Sequence, residues 1–339
     1  MLKSPPIISL LPPRLACLAA LSIAAAACTV EESSAPEPTV TSASTTTTVS
    51  QPDTTIPTTA AAPESTATSV PPTTAPPATL PPGPISASIP IVTGGEFGGW
   101  LLLGRWQVDK WQPPTSDDDQ LSAADLAGDP TLTVSGLEIS EQMVTIGASD
   151  EACFDGRQGP TLDVAIPSAE PPGFGYAAIA LPASWPLKPR QVAQVSGGPP
   201  AYQQLGVDNF AEQGIDASAG TIDQIVVADL DGDGIDEALV SFEQVADPDA
   251  TGSPGDATAI LLVNTETQSS QIVIGSNVDS SETDFPITEQ FRVLDVADLN
   301  GDGRMEVIVR AWYYEGMSVI VYEYDGTTLV QTLATGCGA

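Results

Sequence analysis

The sequence predicts a mainly β fold of four-stranded repeat units, with one short helix and a long disordered N-terminal linker. Three observations predict it. Short runs of Val, Ile and Leu of strand length alternate with Asp/Gly turns toward the C-terminus. Two of those turns repeat one pattern, VADLDGDGIDEALV at 227–240 and VADLNGDGRMEVIV at 296–309, identical at nine of fourteen positions. A short apolar leader is followed by a stretch made almost wholly of Thr, Pro, Ser and Ala.

The leader comes first. Residues 1–14 carry Lys3 and Arg14, residues 15–27 are an unbroken run of Leu, Ala, Ile, Ser and Cys17, and small residues precede Cys28. A basic start, a brief apolar stretch and small residues before a cut mark a secretory signal, too short to span a bilayer. Small residues followed by Cys resemble the bacterial lipobox, with Ala25 where Leu is usual. The resemblance implies a signal peptide over 1–27 and a lipid on Cys28 that anchors the protein to the cell membrane on its extracytoplasmic side. Residues 28–88, with runs such as STTTTVS and PPTTAPPATLPP, have little apolar surface to bury and are expected to stay extended and disordered. Sixty such residues at about 3.1 Å each span roughly 190 Å, enough to carry a domain through a cell wall.

The folded region is expected over 89–339, in two parts. In 89–200, strand candidates fall at 100–108, 131–135, 143–146 and 176–181, either as two further four-stranded units or as a separate small β domain. The segment PAYQQLGVDNFAEQGI at 200–215 is the one persuasive helix, ended by Gly214. In 201–339 each repeated turn lies between two strand candidates, 221–228 with 237–242 and 291–297 with 306–314. Each unit then adds two more, 257–264 with 271–275 and 318–324 with 328–333, giving four strands per unit.

Charge and composition narrow the chemistry. Residues 89–339 hold eight basic and 39 acidic residues, a net charge of −31, which argues against a nucleic-acid partner and favours cations. The chain has no histidine, so Ser/His/Asp and Cys/His catalysis and histidine zinc sites are excluded. With Cys17 in the signal and Cys28 lipidated, Cys153 and Cys337 are expected to pair as a disulfide.

The repeated turns carry the most specific signal. Asp229, Asp231, Asp233 and Glu237 stand at positions 1, 3, 5 and 9 of the first, with Gly234 at position 6. The second places Asp298, Asn300, Asp302 and Glu306 in the same positions, with Gly303 at the sixth. Side-chain oxygens at odd positions of a tight loop converge on one point, and a hard divalent cation takes six to eight oxygens at about 2.3–2.6 Å. The main-chain carbonyls of Ile235 and Arg304 at position 7 complete two cages, so the expected cofactor is Ca²⁺ at two sites. The first, with four carboxylates against three, is expected to bind more tightly. A helix-loop-helix site is excluded, because its acidic twelfth position is Val240 or Val309 here.

These DxDxDGxxE turns between paired strands resemble the FG-GAP and VCBS repeats of integrin-type β-propellers, with Glu where Asp is usual at the ninth position. The resemblance covers 222–334 and implies propeller-like blades with calcium loops between strands. Only two units are visible, where a closed propeller needs at least four.

Two other features have plainer readings. Trp100, Trp106 and Trp111 invite a sugar-stacking reading, but tryptophans at this spacing belong more often to core and hairpin packing. Asp117, Asp118 and Asp119 form an acidic run expected to be a solvated loop. Together these readings give a lipid-anchored, extracytoplasmic calcium-binding β protein serving as a binding or cell-envelope module, with an envelope glycan or protein as its ligand and no catalytic residues. The alternative is a secreted hydrolase acting on polysaccharide through a carboxylate pair, the main chemistry left without histidine. A third is a sensor of external calcium.

Overall fold

Strands that read as continuous apolar runs, such as EALVSF and EVIVRAW, need cover on both faces, and the fold supplies it. The computed structural model describes residues 88–338 apart from 95–98, 117–118, 123–124, 126–129, 154, 165–177, 198, 248–250 and 279–285. The signal, Cys28 and the linker up to residue 87 lie outside the described residues, as do Asp117 and Asp118. Everything described falls within one compact unit, Pro72–Ala339.

The first sheet holds β1 (Ile89–Gly94), β2 (Trp100–Trp106), β3 (Trp111–Gln112), β4 (Thr131–Ser135), β5 (Gln142–Glu151), β6 (Gln158–Leu162) and β7 (Ile179–Leu181), in the order β3-β2-β1-β7-β4-β5-β6. It is one seven-stranded sheet, not two four-stranded units. The second sheet joins β8 (Val192–Gln194), which precedes helix α1 (Pro200–Glu212), to the meander β9 (Thr221–Ala228), β10 (Glu237–Gln244), β11 (Ala257–Asn264) and β12 (Ser270–Asn277). The third is the meander β13 (Gln290–Ala297), β14 (Glu306–Tyr313), β15 (Gly316–Tyr324) and β16 (Leu329–Gly338). All recorded pairings are antiparallel. Three sheets among the described residues are fewer than the four blades of a closed propeller.

Strand alternation assigns the faces. Val226 and Ala228 of β9 point with Leu239 into a core shared with Val293, Val307 and Val309 of the third sheet, while Ile225, Ala238 and Val240 point the other way, onto α1. On β14, Ile308 turns from Val307 and Val309 toward Ile91, Leu103, Ile179 and Leu181 of the first sheet. The result is a stack of helix, second sheet, third sheet and first sheet, with apolar layers between. Each fully buried Val, Leu or Ile contributes about 1.5–3 kcal/mol of transfer free energy.

One polar contact pins these layers. Asp295, fully buried on β13 beside a register shift, accepts Ser135 Oγ of β4 at 2.6 Å and pairs with Lys188 Nζ at 2.9 Å. Lys188 also donates to the Gly136 carbonyl at 3.2 Å. Such a pair adds specificity of fit more than net stability, because desolvation offsets most of its attraction.

The tryptophans pack as structural groups. Trp100 is buried, and Trp106 and Trp111 meet edge to face with centroids 4.7 Å apart while Trp111 Nε1 donates to Glu323 at 2.7 Å. Asp119 departs from the expectation of a solvated carboxylate. It forms a fork with Arg105 at 3.0 and 3.1 Å, and Asp125 takes the other side of the same guanidinium at 2.8 Å. Among the described residues no helix is long and apolar enough to cross a membrane.

Candidate metal centre at two hairpin turns

The β9–β10 and β13–β14 hairpins each deliver one acidic turn. Glu237 opens β10 opposite Ala228, and Glu306 opens β14 opposite Ala297. The small partner leaves room for each Glu to fold over its own turn, where both are buried at 3% and 2% exposure. Leu230 and Leu299, at the second position of each turn, plug fully into the cores on either side of the third sheet. That anchoring turns the first, third and fifth side chains back over the loop.

The two turns share one hydrogen-bond scaffold. Asp229 accepts the amides of Gly232 and Gly234 at 2.7 and 3.1 Å, and Asp298 accepts those of Gly301 and Gly303 at 2.7 and 3.0 Å. Asp231 accepts Asp233 N at 3.2 Å, matched by Asn300 and Asp302 N at 2.9 Å. Asp233 accepts Ile235 N, and Asp302 accepts Arg304 N, both at 2.7 Å. Glu237 closes back on Leu230 N at 3.2 Å, and Glu306 on Leu299 N at 2.7 Å. Positions 4 and 6 adopt φ between +76° and +89° in both turns, a conformation that selects glycine.

Asp229, Asp231 and Asp233 each bring a carboxylate oxygen within 4.8 Å of the others. Glu237 stands beside this trio. In the second turn Asn300 replaces one carboxylate, and its Nδ2 donates to Glu306 Oε1 at 3.3 Å and Asp302 Oδ2 at 3.4 Å. Ile235 and Arg304 occupy position 7, the first half-buried and the second exposed.

The donor set fits a hard cation, being all oxygen. Burial is the second part of the fit. Among the described residues no Lys or Arg pairs with Glu237 or Glu306, so two buried carboxylates lack a cationic side chain. Burial lifts Glu237 to about 7, with the charges of Asp231, Asp233 and Asp229 adding to it. Burial also lifts Asp298 to about 6 against the amides that bond it, and carries Glu306 well above the ordinary carboxyl range.

These shifts set a pH dependence. An acid whose pKa is higher folded than unfolded holds its proton more tightly in the fold. Its stabilisation is complete below the ordinary carboxyl range and is lost as pH rises through the folded value. In chelator, the melting temperature is expected to fall between about pH 5 and pH 7.5 as Asp298 and then Glu237 ionise. Calcium, which favours the ionised forms, is expected to flatten that fall; a chelator profile already flat across this range contradicts the assignment.

Two residues that no spacing rule exposes hold the turns together. Arg190 donates to the carbonyls of Asp229 at 2.6 Å, Leu230 at 2.8 Å and Gly303 at 2.7 Å, so one guanidinium grips both turns. Met305 N also donates to Leu230 O at 2.9 Å. Trp185 Nε1 donates to Asp298 O at 2.9 Å, and Asp298 N donates to Leu187 O at 2.7 Å. The segment preceding β8 therefore staples the turns side by side.

At the opposite, disulfide-bearing side, Cys153 and Cys337 are bonded as expected. Beside them lies a cleft of about 560 Å³ whose lining includes Asp119, Asp155, Arg157, Tyr313 and Met317. Acid–base hydrolysis needs one carboxyl kept protonated. The hydrogen bond from Arg105 instead holds Asp119 down to about 2, and Asp155 pairs with Arg157 at 2.9 Å. No family model, curated protein or solved structure matches the chain.

Proposed function

We propose that this chain is a lipid-tethered, extracytoplasmic binding module of the cell envelope whose two β-hairpin turns each hold a structural calcium ion. The observation that carries the metal reading is the shared scaffold. Two turns 69 positions apart fold to the same five hydrogen bonds, each with a buried Glu that has no cationic side-chain partner among the described residues. Asp229, Asp231, Asp233 and Glu237, with the carbonyl of Ile235, hold the first ion; Asp298, Asn300, Asp302 and Glu306, with that of Arg304, hold the second. When bound, the ion neutralises converging carboxylates and fixes the turn.

The finer fold reading belongs with this proposal. The meanders β9–β12 and β13–β16, each with an acidic turn between its first two strands, are two blade-like units of the FG-GAP and VCBS kind. The lipidated signal and the linker make the tether, and an envelope glycan or protein is the ligand. Binding is preferred over hydrolysis because two of the three carboxylates that line the cleft, Asp119 and Asp155 but not Glu289, are each held by an arginine.

The test is calcium titration with melts in parallel. At millimolar calcium and a dissociation constant near 0.1 mM, each site adds about 1.4 kcal/mol. Two sites together raise the melting temperature of a region this size by about 5–10 °C. Asp231→Asn is expected to weaken the first site toward the affinity of the second, where Asn300 stands. Coincident melts in calcium and chelator overturn the reading.

A further inference from the structure

The folded region carries few bases, and nearly all of them find oxygen. Arg105, Arg157, Lys188 and Arg190 each bond a carboxylate or a carbonyl within 3.3 Å, and Lys110 and Arg304 are exposed to water. Arg310 is different. It is partly buried on β14, its Nε is closed off from solvent with no hydrogen-bond partner, and its guanidinium carbon lies 4.7 Å from the centre of the Trp312 ring.

Its neighbour compounds the anomaly. Arg310 stands directly opposite Arg292 in the β13–β14 ladder. Like charges in that register repel, and burial together with Arg292 pushes Arg310 below its usual value. Arg292 itself forms two ion pairs, with Glu138 at 3.4 Å and Asp223 at 3.6 Å, yet its Nε lacks a hydrogen-bond partner. In a chain with 44 acidic side chains, none among the described residues pairs with Arg310. Glu138, whose charge partly offsets the shift of Arg310, pairs with Arg292 instead.

We infer that Arg292 and Arg310 form an oxyanion site, in which a phosphate or carboxylate group carried by a ligand sits between the two guanidiniums beside Trp312. An anion there turns the cross-strand repulsion into two attractions. Planar guanidinium forks match a carboxylate or phosphate with paired hydrogen bonds, which is why arginine recognises such groups where lysine does not. Arg292 is 40% exposed, so its head can swing to meet the ligand. The surrounding negative charge repels free anions, so binding depends on this local pair and not on a diffuse basic field.

The probes are inorganic phosphate and sodium glucuronate, each compared with sodium chloride at equal ionic strength on the whole folded protein, with and without calcium. Calorimetry is expected to show one site for at least one of the two oxyanions, with a melting temperature that rises over the chloride control. Arg310→Met, which keeps the stack on Trp312, and Arg292→Gln are each expected to weaken binding at least tenfold. Binding of phosphate alone identifies a phosphorylated ligand, and of glucuronate alone a carboxylated sugar. If neither oxyanion binds at millimolar concentration, or if both variants bind as the parent does, the inference is wrong. Should Arg310→Met fail to fold, the half-exposed Arg292→Gln decides alone. The outcome is independent of whether the acidic turns take calcium.

Discussion

Replacing Cys153 and Cys337 together by serine is expected to lower the melting temperature by about 10–20 °C. The bond joins residues 184 positions apart, so it closes β6–β16 into one loop and leaves β1–β5 outside it. In the chain-entropy model a loop of that length removes about 5 kcal/mol of unfolded-state freedom, and a domain of this size loses about 2–4 °C per kcal/mol. The native side is well placed to keep that gain. Both sulfurs are buried with Leu101 and Ala152, and Arg157 donates to the Gly336 carbonyl at 2.5 Å beside them. Denaturant midpoints of the parent and the double variant, compared at equal slopes, measure the difference. Equal midpoints mean that the unfolded chain is already restrained by other means.

The second large effect is expected from Arg190→Met. Three carbonyls lose their donor, and only that of Leu230 keeps another, from Met305 N. Leaving part-buried carbonyls unpaired costs about 1–3 kcal/mol each, so a total of about 3–5 kcal/mol and a fall of about 6–20 °C are expected. The informative readout is hydrogen exchange. Gly232 and Gly234 lie in one turn and Gly301 and Gly303 in the other, and the amides of all four are expected to lose protection together. Loosening confined to the first turn shows that the two are held separately.

The two four-stranded units were legible because their inner strands, β10, β11, β14 and β15, are buried on both faces. An unbroken Val/Ile run bounded by Asp/Gly is then the only pattern available. Helix α1 was legible from its Gly214 stop, which has φ +81°. The first sheet was harder. Strand β1 holds Pro90, which argues against an interior strand. The structure accommodates it because β7 pairs only with Val92 and Thr93, so at Pro90 the strand has β2 alone beside it. Strands β3 and β8 are too short to announce themselves, and β6, QGPTL, carries Gly and Pro where a strand pattern needs apolar residues. In the site, the proposed ligand positions come from spacing within fourteen residues. Arg190 and Trp185 did not, because their partners lie 39 to 113 residues away and a lone Arg or Trp has no periodicity to reveal it. The oxyanion pair was hidden for the same reason, since only strand register sets Arg292 against Arg310.

The place of β1 has a consequence for how the molecule is assembled. The first described strand, β1, is an inner strand, flanked by β2 on one side and by β7 on the other, with Ala178 O taking both Gly94 N and Thr93 Oγ1. A polypeptide emerging from its N-terminus therefore cannot complete the first sheet until residue 181 has appeared. Nor can it cover that sheet until β13–β16 arrive. Contacts so distant in sequence slow folding and leave apolar strands uncovered in the meantime. Refolding is thus expected to be slow for the chain's size, and truncations from the C-terminal end to yield aggregation-prone fragments instead of a shorter folded domain.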